Sequence, residues 1–394
     1  MEKTWRWFGK KDGITLDMLR QIGVEGIVTA LHDVPNGEIW TPEAINDLKS
    51  DIEKSGLRWS VVESLPVSEA IKYGGKEREK LLENYKISLA NLGRAGIKTI
   101  CYNFMPVIDW IRTDLRKPNG DGTYALFFDP VRFAYFDSRI LQRKEAENDY
   151  PVHVMQKVYD LDKTITEAEK EELIDAIIVK TQGFVNGNIR EGDKHPVNLF
   201  KQLLALYDGI DRAQLRANMK YFLEQVTPIA EAYGVNLCVH PDDPPFAVLG
   251  LPRIVSTAED IEWFLNAVDN PHNGLTFCAG SLSAGLHNDV VDLARKFAKR
   301  THFLHLRSTE VGQDGHILEA SHLGGRGHLI ELIRIFEREN PGLPMRIDHG
   351  RLMLGDEDKG YNPGYSFHGR MFALAQIDGV IATVKDEINK NRKY

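Results

Sequence analysis

The chain has 394 residues, 42% hydrophobic and 27% charged, with a formal net charge of −8. Those proportions are of a water-soluble globular protein long enough to bury a large core. They exclude nucleic acid and anionic membrane as main partners, and no apolar run of about 18 residues offers a membrane span.

The first apolar run is "TWRWF" (4–8), followed by "GIVTAL" (26–31). "TPEAI" then places Thr41 as an N-cap with Pro at the first helical position, and Gly56 in "KSGL" is a stop signal. "LRWSVVES" (57–64), a helix over 76–94 and "KTICYNFM" (98–105) continue the alternation of strand and helix. Over about 106–210 the β-branched runs stop. Charged helical segments such as "TITEAEKEELIDAIIVK" and the polar stretch "RKPNGDGTY" predict a largely helical insertion after the fourth strand. The alternation resumes with a helix over 213–233 and the strands "NLCVHP" (236–241), "GLTFCAG" (274–280), "THFLHLRS" (301–308) and "PMRIDHG" (344–350). Helices are expected over 257–269, 288–299, 327–339 and 366–389. Eight βα units without a Gly-rich phosphate turn predict a closed (β/α)₈ TIM barrel, with residues 1–394 forming one domain.

Active sites of such barrels lie at the C-terminal ends of the strands. The fifth strand ends on His240, the sixth near Cys278, the seventh near His305 and the eighth on Asp348 and His349. Adjacent strands lie about 4.8 Å apart, so the fold would gather these four distant positions. Two imidazoles, a thiolate and a carboxylate suit a borderline divalent ion, and catalysis needs open positions, which favours five- or six-coordinate Mn²⁺ or Fe²⁺ over closed tetrahedral Zn²⁺. Taken singly, each residue has a bland reading as a packed, capping or rim side chain; it is their coincidence at matching strand ends that points to a metal. Cys238 lies on the same strand face as His240 but one layer deeper and is assigned to packing, which is the usual role of a sparse cysteine such as Cys101. His302 faces away from His305. His153, His195, His272 and His287 fall in polar loops or helices. Three sparse cysteines, and an N-terminal "MEKTWRWFGKKDG" without an apolar core, lead us to expect a reducing, cytoplasmic setting.

These residues sit in stretches that resemble the D-mannonate dehydratase family: "TWRWFG", "GIVTALHDVPNGEIW", "CYNFMPV", "VHPDDPP", "GLPRIVST", "HLRST", "DHG" and "NPGYS". The resemblance runs from residue 4 to about 370. It implies a barrel of xylose-isomerase type that uses Mn²⁺ or Fe²⁺ to convert D-mannonate to 2-dehydro-3-deoxy-D-gluconate in hexuronate (glucuronate) breakdown. It further implies His240, Cys278, His305 and Asp348 as metal ligands and His349 and Tyr365 as the acid/base pair, in an order the sequence does not fix. A sugar-acid substrate needs cations and hydroxyl partners, for which Arg307, Asn103, His32, Glu63 and His322 are candidates, with His316, Arg6, Trp5 and Trp7 behind them. A homo-oligomer, dimer or higher, is expected. The alternatives are a metal-dependent sugar isomerase on the same barrel, which a thiolate ligand disfavours, and a non-catalytic sugar-acid-binding protein, which would be expected to have lost part of this set. Asp242 and Asp243 have three readings: holding His240, touching substrate, or starting a turn.

Overall fold

Eight parallel strands close on themselves in the computed structural model, which describes residues 1–183, 189 and 191–391. They are β1 (Glu2–Arg6), β2 (Gly26–Thr29), β3 (Arg58–Glu63), β4 (Thr99–Tyr102), β5 (Asn236–Val239), β6 (Asn273–Cys278), β7 (Thr301–Leu306) and β8 (Pro344–Ile347). Each pairs with the next in sequence, and β8 returns to β1, which is the expected (β/α)₈ barrel. Strands covered on both faces need continuous apolar runs, and "NLCV" and "GLTFC" supply them.

The helices start where their capping residues stand. Thr41 accepts from the Ala44 amide at the head of Pro42–Lys54, and Thr257 and Asp260 form a reciprocal capping box on Ala258–Ala267. Leu16–Gln21, Arg78–Arg94, Arg212–Tyr233, Val290–Phe297, Leu329–Glu339 and Phe367–Asn391 complete the outer ring. Among the described residues, no helix is long and apolar enough to cross a membrane.

Inside the barrel, Val28, Val61, Cys101, Cys238 and Phe303 form a fully buried layer. Cys101 and Cys238 are partners in register across β4 and β5. They act there as small hydrophobes, as expected. The layer is the floor of the mouth above it, since the Phe303 ring meets the His305 ring edge-on at 4.6 Å. Trp5 and Trp7 are buried in the main core and are not presented to a ligand.

The segment after β4 differs from expectation at its start. "RKPNGDGTY" is not a plain polar loop; it is the turn and flanks of a β-hairpin formed by Asp114–Pro118 and Tyr124–Phe128. Helices follow, including Pro130–Tyr135, Val152–Leu161, Glu167–Ile174 and Pro196–Ala205. The hairpin continues into two short strands from the loop after β7, Thr309–Val311 and Ile317–Glu319, making a four-stranded antiparallel sheet. Asp114–Pro118 is its exposed edge, and charges and Pro on an edge strand blunt pairing with other chains. That same chemistry hides the strand from an apolar-periodicity reading.

Candidate active site

Register brings the expected ligands together. Cys278, the last residue of β6, pairs with His305 on β7, and His305 pairs with Arg346 on β8. His240 follows the last residue of β5, with its ring 5.0 Å from that of His305. The ligand atoms of His240, Cys278 and His305 lie within 4.8 Å of one another. Asp348 stands just past β8, with Oδ2 3.7 Å from Cys278 Sγ and 3.8 Å from His305 Nδ1.

The donor set fits a divalent metal of borderline softness. His240 Nδ1 is engaged by the Pro241 carbonyl at 2.7 Å, which leaves Nε2 as the ring's free ligand atom. Burial opposes ionisation of Cys278, but Arg307, His240 and His305 hold the thiol well below its ordinary range. Asp348 is held low in the same way, against burial, by Arg346, His349 and Arg307. Both side chains are therefore in their ligating forms.

Because β8 has ended at Ile347, Asp348 and His349 do not alternate as strand residues would, and both reach the mouth. The His349 ring lies 4.7 Å from Trp110 and meets Tyr365 edge-on at 5.3 Å. Tyr365 Oη is 3.5 Å, and His349 Nε2 3.8 Å, from the same Asp348 oxygen. The Gly350 amide donates to the Gly364 carbonyl at 2.8 Å, which ties "DHG" to "NPGYS". Gly364 has φ +82°, and a Cβ there would come within 3.1 Å of the His349 ring, so the position requires glycine. Burial raises the Tyr365 phenol above its ordinary value, with Arg346 pulling the other way.

Charged residues that sequence reasoning missed surround this centre. Arg346 bonds Glu63 in a two-pronged pair at 2.9 Å and also donates to Asp348 and His305. Its signal was present, since Arg346 is two residues before Asp348 and shares its face. Arg112, fully buried, donates to Asp243 at 2.9 Å and to Glu319 at 2.7 Å. Asp109, also missed, accepts from the Trp110 amide and from Asn103.

The structure separates the two aspartates that follow His240. Asp242 accepts from the Val255 amide at 2.7 Å and the Ser256 hydroxyl at 2.8 Å, which pins "GLPRIVST" against the end of β5. Asp243 lies on the pocket wall between Arg112 and Arg307.

Of the expected substrate contacts, Arg307, Asn103 and Glu63 line the pocket, together with Arg6, Asp109 and Trp110. Arg307 is only 1% exposed and is bonded to Asp243, Glu319 and Ser281, so it is fixed in place rather than free to reach out. His32 and His322 do not line the pocket. β2 ends at Thr29, three residues early, so His32 swings to the exposed rim beside Phe8. His322 is buried under its loop, off the pocket wall. His316 pairs with Asp314 on the turn between the two short strands.

A family model described as D-mannonate dehydratase matches residues 1–391. The mannonate dehydratase of Marinomonas sp. (strain MWYL1) is 44% identical over 398 residues, covering 98% of this chain and 100% of that protein. The crystal structure of mannonate dehydratase from Streptococcus suis serotype 2 superposes with a TM-score of 0.78 at 34% identity, over 98% of this chain and 96% of that one. A xylose isomerase domain protein from Alicyclobacillus acidocaldarius shares the fold at a TM-score of 0.51 and 12% identity, over 97% of this chain and 99% of that one.

Proposed function

Because the chain belongs to the D-mannonate dehydratase family and dehydrates D-mannonate, we propose that the barrel mouth does so around one Mn²⁺ or Fe²⁺ ion, with His240, Cys278, His305 and Asp348 as the residues that would hold it. The observation that carries this reading is the convergence of two imidazoles and a thiolate within 4.8 Å, beside a carboxylate and the His349–Tyr365 pair. When bound, the metal supplies Lewis-acid polarisation of the sugar-acid carboxylate, which makes the C2 proton more acidic.

The chain's own groups do the rest. His349 and Tyr365 share the proton transfers: one takes the C2 proton, and the other delivers a proton to the C3 hydroxyl as it leaves as water. The resulting enol rearranges to the 2-keto-3-deoxy acid. Arg6, Arg307 and Arg346 line the pocket as guanidiniums paired with its carboxylates and supply donors for an anionic substrate, and Asn103 and Glu63 offer polar groups to its hydroxyls. Incubation with D-mannonate and Mn²⁺, read by the appearance of a 2-keto-3-deoxy acid, tests the reading. No product with either Mn²⁺ or Fe²⁺ would sink it.

We also propose that residues 1–394 form one domain, with the insertion of about 106–210 as part of it; the pairing of the hairpin with the loop after β7 supports this. A homo-oligomer is supported by the exposed Leu354 and Phe372, and a cytoplasmic location by three free cysteines.

A further inference from the structure

Glu319 is the last residue of the strand Ile317–Glu319 and is only 2% exposed. Its Oε1 lies 3.1 Å from His349 Nδ1 and accepts from Arg112 Nη2 at 2.7 Å and from Arg307 Nη1. Arg307 Nη1 is itself 3.3 Å from His349 Nδ1, but it is already committed to the Glu319 carboxylate. The nearer group at Nδ1 is thus an anionic acceptor, and a histidine nitrogen facing a carboxylate carries the proton. The two arginines keep Glu319 ionised, since their charge outweighs burial and holds its carboxyl down at about 2.

With the proton on Nδ1, the lone pair is on Nε2, the nitrogen beside Asp348. Trp110 and Tyr365 flank the ring, so the bond to Glu319 selects between the two flips of the imidazole that this slot admits. We infer that Glu319 is a positioning residue that fixes the ring orientation and tautomer of His349 for proton transfer. Glu319 reaches the site from the sheet outside the barrel, where Ile317 pairs with Phe128 and Leu318 with Phe127 of the hairpin. The extra sheet therefore completes the acid/base machinery.

The inference rests on the proposed role of His349, and the experiment separates the two. Glu319→Gln keeps the shape and removes the charge. Its kcat should fall about 10- to 100-fold, the range for losing a carboxylate partner behind a functional imidazole, with KM and bound metal unchanged. In a His349→Ala background, read by long-incubation product assays, Glu319→Gln should add nothing further. A loss of the same size in that background overturns the inference, as does unchanged kcat or a loss of metal that parallels the loss of activity. Should Glu319→Gln fail to fold, the wild-type chain decides. Selective ¹⁵N-histidine labelling of the full chain loaded with Zn²⁺ should show His349 protonated at Nδ1, the signal being assigned by its absence from His349→Gln. A bare Nδ1 overturns the inference. If His349→Ala keeps full activity, the role of His349 is what fails.

Discussion

Asp243→Asn is the substitution with the most to reveal about how the mouth is held. Asp243 is fully buried, with Arg112 on both oxygens at 2.9 and 3.4 Å and with Arg307 and Ser281 on Oδ2. An asparagine has one acceptor oxygen, so its amide nitrogen would point at a guanidinium. Removing one partner of a buried ion pair costs about 3–5 kcal/mol, because the other charge stays buried. Unfolding entropy of about 2.1 cal/mol/K per residue gives about 0.8 kcal/mol/K for 394 residues. The expected fall in Tm is therefore about 4–6 °C, measured by calorimetry at matched metal load and scan rate. Asp242→Asn is the control. Its hydrogen bonds come from an amide and a hydroxyl, which an asparagine oxygen can still accept, and its one charged partner, Arg253, is farther off at 3.7 Å, so a cost of about 1–2 kcal/mol and a fall of about 1–2 °C are expected. Activity should follow the same order, since Arg307 also lies 3.6 Å from Cys278 Sγ and 2.9 Å from Asp348 Oδ2. If Asp243→Asn melts no lower than Asp242→Asn, the charge on Asp243 does not hold the arginines, and the reasoning is refuted.

Cys278→Ser replaces a thiolate by a weak neutral ligand and should leave less than about a tenth of the metal bound after gel filtration, read by elemental analysis. Full metal content would remove Cys278 from the ligand set. Gly280→Ala would put a Cβ 2.2 Å from Arg307 Cγ; the displaced arginine should cost about 1–3 kcal/mol and most of the activity, and wild-type kinetics would show that Arg307 has room to shift. His32→Ala should leave kcat/KM within about twofold, because the ring is on the exposed rim outside the pocket. A tenfold loss would bring His32 into substrate binding.

The barrel and the convergence of the candidate ligands were legible because both rest on short-range signals. Apolar runs of strand length mark the strands, and the side chain at each strand end is read directly from its last position. His32 shows the limit of that rule: a strand two residues shorter than its apolar run turns the terminal side chain outward. Arg346 was within reach of the same two-residue period, but an arginine in a buried strand reads as an edge until Glu63 and Asp348 are seen to neutralise it. Arg112, Asp243 and Glu319 were beyond reach, since their meaning lies in one another and they come from three distant parts of the chain. The outer sheet was hidden for a second reason. Three of its strands are short and either charged or paired across the molecule; Tyr124–Phe128 is apolar, and the Asn-Gly and Asp-Gly before it are hairpin signals that the helical reading of the insertion passed over.

That sheet lets metal binding and turnover come apart. Glu319 is held beside His349 by pairings in a sheet separate from the barrel, Ile317 with Phe128 and Leu318 with Phe127. Loosening those pairings should leave the expected ligands at the ends of β5 to β8 in place and the ion bound, while turnover falls. Such a chain would be a holoprotein that is not a catalyst.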